Sequence, residues 1–176
     1  MKTFCSTIVI AISLLVCTNG LLNGQNKIDG YYLNAKLGIS YNWLGGGGEI
    51  NILRRHFIYS LGIYEFWNFN STANIWSFPI DFLIGKYVGD RYLRFQYQGG
   101  LGLFWGAKNA GNEWDNGSVS FATLGIPLKL GFKILPSRFI SIGMDLQANL
   151  NFEKSIVIPM FSIEIGKLRN KIVKRN

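Results

Sequence analysis

From Tyr31 to Trp43 the chain alternates without a break: Leu33, Ala35, Leu37, Ile39, Tyr41 and Trp43 occupy every second position, against Asn34, Lys36, Gly38, Ser40 and Asn42. Successive side chains of an extended backbone point to opposite faces, so a period of two predicts a strand with one apolar and one polar face. The pattern returns at Trp76, Phe78, Ile80, Phe82 and Ile84, and again at Ile140, Ile142, Met144, Leu146, Ala148 and Leu150. A chain built this way must hide its apolar faces in a core or present them to lipid.

The first residues favour export. Lys2, the apolar run Ile8 to Val16 and then Thr18, Asn19 and Gly20 follow the order of a secretory signal, and the run is too short to span a membrane as a helix. Cleavage falls after Gly24 or after Gly20; the first choice divides the chain into a signal at 1–24, a barrel at 25–168 and a basic tail at 169–176. Both cysteines, Cys5 and Cys17, lie in the removed segment, which leaves no thiol, disulfide or cysteine ligand. A lipid anchor on Cys17 would require a small residue before it, and Val16 is not small.

Beyond the signal no apolar run is long enough for a spanning helix, yet the chain is 48% hydrophobic and 15% aromatic, with 21 glycines. A membrane barrel accounts for this, because each strand offers apolar side chains to lipid and small or polar ones to the lumen. Eight strands are expected. The first is followed by a glycine turn at Gly45 to Gly48, and the second covers Glu49 to Leu53. That glycine run lacks the lysine and helix of a phosphate cradle. The third strand runs from Phe57 to about Tyr64, the fourth from Trp76 to Tyr87, and the fifth from Tyr92 to about Trp105. The sixth, Ser118 to Ile134, changes phase near Ala122 to Leu124, which suggests a bulge. Phe139 to Asn151 and Ile156 to Leu168 complete the set.

Long loops are expected at Glu65 to Asn74 and Ala107 to Gly117, with short turns after the second, fourth and sixth strands. In bacterial barrels short turns face the periplasm and long loops face outward. Arg54, Arg55, Arg91, Arg138 and Lys167 then gather at the periplasmic end with Arg169, Lys171, Lys174 and Arg175 of the tail, accounting for most of the formal net charge of +8. These residues sit at turns and a terminus rather than on a helix with stacking aromatics, so anionic phospholipid headgroups are the simpler partner and nucleic acid is not expected. A specific periplasmic contact of the tail, with cell-wall polymer or another protein, is the alternative.

Phe78-Pro79-Ile80-Asp81-Phe82-Leu83-Ile84-Gly85-Lys86-Tyr87, the following Gly99-Gly100-Leu101-Gly102 and the echo Gly125-Ile126-Pro127-Leu128-Lys129 resemble the small outer-membrane β-barrel domain family of Gram-negative bacteria, similar in architecture to OmpA and OmpX. The resemblance covers the mature chain. It implies an eight-stranded antiparallel up-and-down transmembrane barrel, outer-membrane lipids and the barrel-assembly machinery as partners, and no single activity. Such barrels usually finish on an aromatic residue; this chain continues past Leu168, so the assembly signal is expected to be internal or weaker, with Phe161, Ile163 and Ile165 still supplying the alternating last strand.

A barrel of eight strands is just wide enough for its own side chains to fill, whereas a solute pore needs about sixteen. The expected inward polar set is Lys36, Glu49, Asp81, Arg94, Lys129, Asp145 and Glu164, both signs being present to pair across the lumen. This predicts a plugged or narrow polar interior. Some barrels of this size modify lipid A, but His56 is the only histidine and falls in a turn beside two arginines, and inward carboxylates facing lysine and arginine are more often structural. No catalytic residue, cofactor or metal ligand set is therefore assigned. The competing class is an exported soluble lipocalin-like barrel holding an apolar ligand, with the same alternation turned inside out. Trp67 and Trp114 are the expected loop anchors for a surface or periplasmic partner, unless they belong to the aromatic belt at the membrane boundary.

Overall fold

The computed structural model describes residues 28–68, 75–109 and 118–168. Among these residues eight strands occur: β1 (Gly30–Ser40), β2 (Trp43–Arg54), β3 (Phe57–Asn68), β4 (Ile75–Gly89), β5 (Leu93–Asn109), β6 (Ser118–Ile134), β7 (Ile140–Asn151) and β8 (Ile156–Lys167). Each pairs antiparallel with its neighbours in sequence, and β8 pairs with β1 to close the barrel. The segments read as a signal (1–24) and a basic tail (169–176) lie outside the described residues.

Closure is staggered. Stepping across paired residues from Tyr31 leads through Ile52, Tyr59, Ile84, Gly99, Leu128 and Ala148 to Val157. Tyr31 itself pairs with Lys167, so from Val157 to Lys167 the seam closes ten residues out of step. Such a stagger tilts the strands against the barrel axis and sets the width of the lumen.

The outward face is apolar. Leu37, Ile39, Phe82, Leu101, Leu124, Ile126, Met144 and Ile165 are all exposed, while Asn34, Lys36, Glu49, Asp81, Lys129, Asp145 and Glu164 are buried. This is the reverse of a water-soluble barrel and fits a wall solvated by hydrocarbon.

Several local expectations are corrected. The glycine run is not a turn: Gly45 to Gly48 lies within β2, and the reversal occurs earlier, at Tyr41 and Asn42. Trp43 therefore points inward and is only 7% exposed, instead of continuing the outward row. A Cβ on Gly45 would run into the ring of Phe66, and one on Gly47 into that of Tyr64. The glycines thus make room for two aromatic rings from the neighbouring strand. Residues Glu65 to Trp67, expected in a loop, extend β3, and Ala107 to Asn109 extend β5. The phase change in β6 is absent: its register against β5 is the same at Gly102↔Gly125 as at Trp105↔Ala122 and Gly99↔Leu128. The irregular appearance comes from Phe121, an aromatic side chain that packs into the interior.

The β2–β3 connection is two residues long, with Arg55 in the left-handed region at φ 55°. Turns of this length often use positive φ, which an ordinary side chain adopts at a cost of roughly 1–2 kcal/mol. Two hydrogen bonds hold it there: the Arg55 N–H donates to the Asp29 carboxylate, and the Tyr87 hydroxyl donates to the Arg55 carbonyl at 2.6 Å.

Candidate functional site

Inward positions of eight strands converge on one narrow volume, and their side chains sort by height into three layers. The middle layer is charged. Lys129 Nζ lies 2.8 Å from Glu49 Oε2, Glu49 Oε1 lies 2.6 Å from Lys36 Nζ, and Lys36 Nζ lies 3.1 Å from Asp145 Oδ2. Asp145 Oδ1 continues to Lys133 Nζ at 2.7 Å, Lys133 lies 3.8 Å from Glu164 Oε1, and Glu164 closes the series on Arg94. Seven groups from β6, β2, β1, β7, β8 and β5 thus alternate in sign along one ladder.

Alternation matters because each charge has left bulk water. An isolated buried ion costs several kcal/mol, and attraction offsets this only when neighbours of opposite sign and hydrogen bonds surround it. Interior members of the ladder have an opposite charge on either side. Hydroxyls add to this: Tyr64 donates to Glu49, and Ser141 donates to Glu164. The eighth charge, Asp81 on β4, takes its contacts from amides rather than a cation, accepting from Gln147 Nε2 at 3.3 Å and Asn149 Nδ2 at 3.4 Å. Among the described residues four buried basic side chains, Lys36, Arg94, Lys129 and Lys133, face four acidic ones, Glu49, Asp81, Asp145 and Glu164.

Apolar layers close the ladder off at both ends. Towards the loops, Trp43, Tyr64, Phe66, Phe104, Ile156, Ile158 and Met160 form one cluster, with Ile75 and Phe121 against it. Tyr64 stacks on Phe66 at 6.0 Å between centroids, Phe104 on Phe121 at 5.9 Å, and Lys154 Nζ stands 5.3 Å over the Trp43 ring. Towards the short turns, Tyr32, Leu53, Ile58, Leu135 and Leu168 form a second cluster, joined by Tyr87. One tyrosine marks each boundary. The Tyr64 ring belongs to the upper layer while its hydroxyl reaches Glu49; the Tyr32 ring belongs to the lower layer, with Arg94 4.8 Å above it. A tyrosine suits such a position, since its ring is apolar and its tip polar.

The seven residues expected in the lumen are buried in the interior; six lie on the ladder of ion pairs, and Asp81 reaches it through Gln147, which accepts from Lys36 at 3.4 Å. Lys133, four residues after Lys129 on the same polar face of β6, joins them although it was not among the expected inward charges. The two apolar layers were not legible, because Phe66, Phe104 and Met160 look like any other alternating apolar residues. Trp67 is a strand residue rather than a loop residue: it faces outward from β3, 39% exposed, in register with Trp76. Trp76 Nε1 in turn donates to Glu65 at 2.6 Å. Trp114 lies outside the described residues. His56 sits exposed in the β2–β3 turn, far along the chain from every ladder residue except Glu49.

The sequence matches no family model and no curated protein. Solved structures do resemble the fold. The N-terminal β-barrel domain of Pseudomonas aeruginosa OprF is 13% identical, with a TM-score of 0.59 over 80% of this chain and 99% of that one. Neisserial surface protein A is 8% identical, with a TM-score of 0.56 over 80% and 95%. The attachment invasion locus protein Ail of Yersinia pestis is 8% identical, with a TM-score of 0.53 over 79% and 96%. With an even number of strands, an apolar wall, a polar interior and these likenesses, the chain has the architecture of the small outer-membrane β-barrels.

Proposed function

We propose that this protein is exported to the outer membrane, inserts there as a non-conducting barrel, and serves a structural or surface-interaction role through its loop end. The observation that carries the reading is the inverted wall: exposed apolar side chains around an interior with buried, paired charges. Hydrocarbon is the solvent such a wall needs. The apolar layers above and below the ladder support the non-conducting part, since an ion would have to cross both. A surface role is supported by Tyr41 and Phe152, which are 95% and 98% exposed on the adjacent β1–β2 and β7–β8 hairpins. Two of the structural relatives are likewise named for surface or attachment.

A soluble lipocalin-like barrel would turn its apolar faces inward around a ligand and its polar faces outward; here the outward face is apolar and paired charges fill the middle of the lumen between two packed apolar layers. Lipid A chemistry would require an activated nucleophile or base near the outer leaflet. The interior carboxylates are instead engaged by lysine, arginine and amide groups.

Fractionation of cells producing the full chain, followed by electrophoresis with and without boiling, tests the reading. A membrane-extracted band whose mobility shifts on boiling is expected, as is the absence of stepwise conductance in planar bilayers. A soluble periplasmic protein without the shift would overturn the membrane assignment, and steady conductance would overturn the sealed interior.

A further inference from the structure

Aromatic side chains and cations recur together at the end of the barrel where the short turns lie. Lys86 Nζ stands 5.4 Å over the ring of Phe57, its partner across the β3–β4 pair. The Arg91 guanidinium stands 5.3 Å over Tyr92 at the β4–β5 turn, and that of Arg138 stands 4.6 Å over Phe139 at the β6–β7 turn. At the β8–β1 seam Lys167 pairs in register with the exposed Tyr31. Phe57, Tyr92 and Phe139 are exposed as well. The couples therefore circle the barrel instead of clustering at one side.

Their direction discriminates between partners. Lys86 lies in the outward row of β4 between the exposed Ile84 and Val88, and Lys167 follows Ile163 and Ile165 in the outward row of β8. Both side chains thus leave the barrel within its lipid-facing wall. A long cationic side chain in such a row extends along apolar surface until its charge reaches the headgroups. A protein or polymer docking on the end of the barrel would instead meet its charges on the axial face. The carboxylates described at this end are turned into the chain. Asp90 accepts the N–H groups of Tyr92 and Leu93 at 2.7 and 2.9 Å, and Asp29 accepts that of Arg55. At the loop end the described residues carry charges of both signs, among them Glu65, Glu153 and Lys154.

We infer that Lys86, Arg91, Arg138 and Lys167, each beside an exposed aromatic ring, form a collar that binds the phosphodiester headgroups of anionic phospholipids in the leaflet at the turn end. This rests on the membrane reading above. The aromatic ring sits at the boundary between acyl chains and headgroups, and the cation beside it meets the phosphate.

The test uses the full chain in phosphatidylcholine vesicles carrying a trace of spin-labelled phosphatidylglycerol or spin-labelled phosphatidylcholine, with electron paramagnetic resonance reading the lipid immobilised on the protein. Phosphatidylglycerol is expected to be held several-fold more strongly, with the preference fading in high salt. It should weaken stepwise with each couple lost and vanish in the quadruple variant K86Q/R91Q/R138Q/K167Q, while arginine at positions 86 and 167 preserves it. If the quadruple variant gives no heat-modifiable band, the four single variants are read individually, and unchanged selectivity in all four overturns the collar. Equal immobilisation of the two lipids by the wild-type protein also overturns it. So does a preference abolished by inorganic phosphate but not by chloride at matched ionic strength, which would mean a site for free anions. Immobilisation of neither lipid would overturn the membrane reading itself, an outcome distinct from loss of selectivity alone.

Discussion

Glu49 receives Lys129 across the full width of the barrel: the lysine nitrogen stands 3.0 and 2.8 Å from its two carboxylate oxygens, although β2 and β6 face each other from opposite sides of the ring. The same carboxylate also takes Lys36 at 2.6 Å and the Tyr64 hydroxyl. Glu49 is thus the most heavily shared group of the ladder.

Replacing Glu49 should accordingly cost more than replacing one of its lysines. Glu49→Gln keeps the shape but leaves Lys129 beside a neutral amide, and about 3–5 kcal/mol of unfolding free energy should be lost. Lys36 retains Asp145 at 3.1 Å. The double variant E49M/K129M, which also removes the lysine that E49M leaves unpaired, should therefore be more stable than E49M alone. Urea titration in vesicles, followed by tryptophan fluorescence, gives the comparison; a double variant less stable than E49M would contradict the ladder.

The two apolar layers act in series, so opening one should not open the barrel. Phe104→Ala removes a buried ring from the upper layer and should cost about 3–5 kcal/mol without producing conductance. Phe104→Ala combined with Leu53→Ala thins both layers. Single-channel recording should show brief openings only in the combination, and openings in Phe104→Ala alone would assign no barrier to the lower layer.

Two glycines should respond oppositely to the same change. Gly48 faces outward, its nearest neighbour for an added Cβ being the Asn34 carbonyl at 3.7 Å, whereas a Cβ on Gly100 would run into the Phe82 carbonyl. Gly48→Ala should raise stability by roughly 0.5–1 kcal/mol through reduced backbone freedom in the unfolded chain. Gly100→Ala should lower it by about 1–3 kcal/mol, since strand β4 must move aside. Paired unfolding curves decide, and equal shifts would show that proximity to the neighbouring backbone is irrelevant.

Asp90 ties the β4–β5 turn to pH. The N–H groups of Tyr92 and Leu93 hold its carboxyl below the usual aspartate value. A group with a lowered folded value stabilises above its unfolded value and loses that effect as pH falls through the folded one. After correction for intrinsic exchange rates, amide protection of Tyr92 and Leu93 should be constant near neutral pH and should decline on the acid side of the ordinary aspartate range. In Asp90→Ala it should be low throughout; an unchanged pH profile in that variant would remove Asp90 from the explanation.

Much of this molecule was present in its periodicity. Alternation in Leu33 to Ile39, in Phe78 to Ile84 and in Ile142 to Leu150 determined strand content and which side chains share a face, because a period of two is a local consequence of backbone geometry. The seven lumen charges followed from the same rule. Loop lengths separated the turn end from the loop end, though the boundaries at Glu65 and Ala107 shifted, since strands continue for as long as a neighbour offers backbone partners.

What alternation could not decide is anything that depends on which strand stands opposite which. Whether Gly45 to Gly48 turns or stays extended was settled by the rings of Tyr64 and Phe66, which need the space above glycine. Trp43 and Phe121 point inward because hairpin position and strand register put them there. The pairing of Glu49 with Lys129, and the enclosure of the ladder between two apolar layers, arise from closing the barrel with a ten-residue stagger, which brings residues distant in sequence to the same height. The sequence by itself determined the faces; tertiary closure decided the partners, since contacts across the lumen exist only once all eight strands have met.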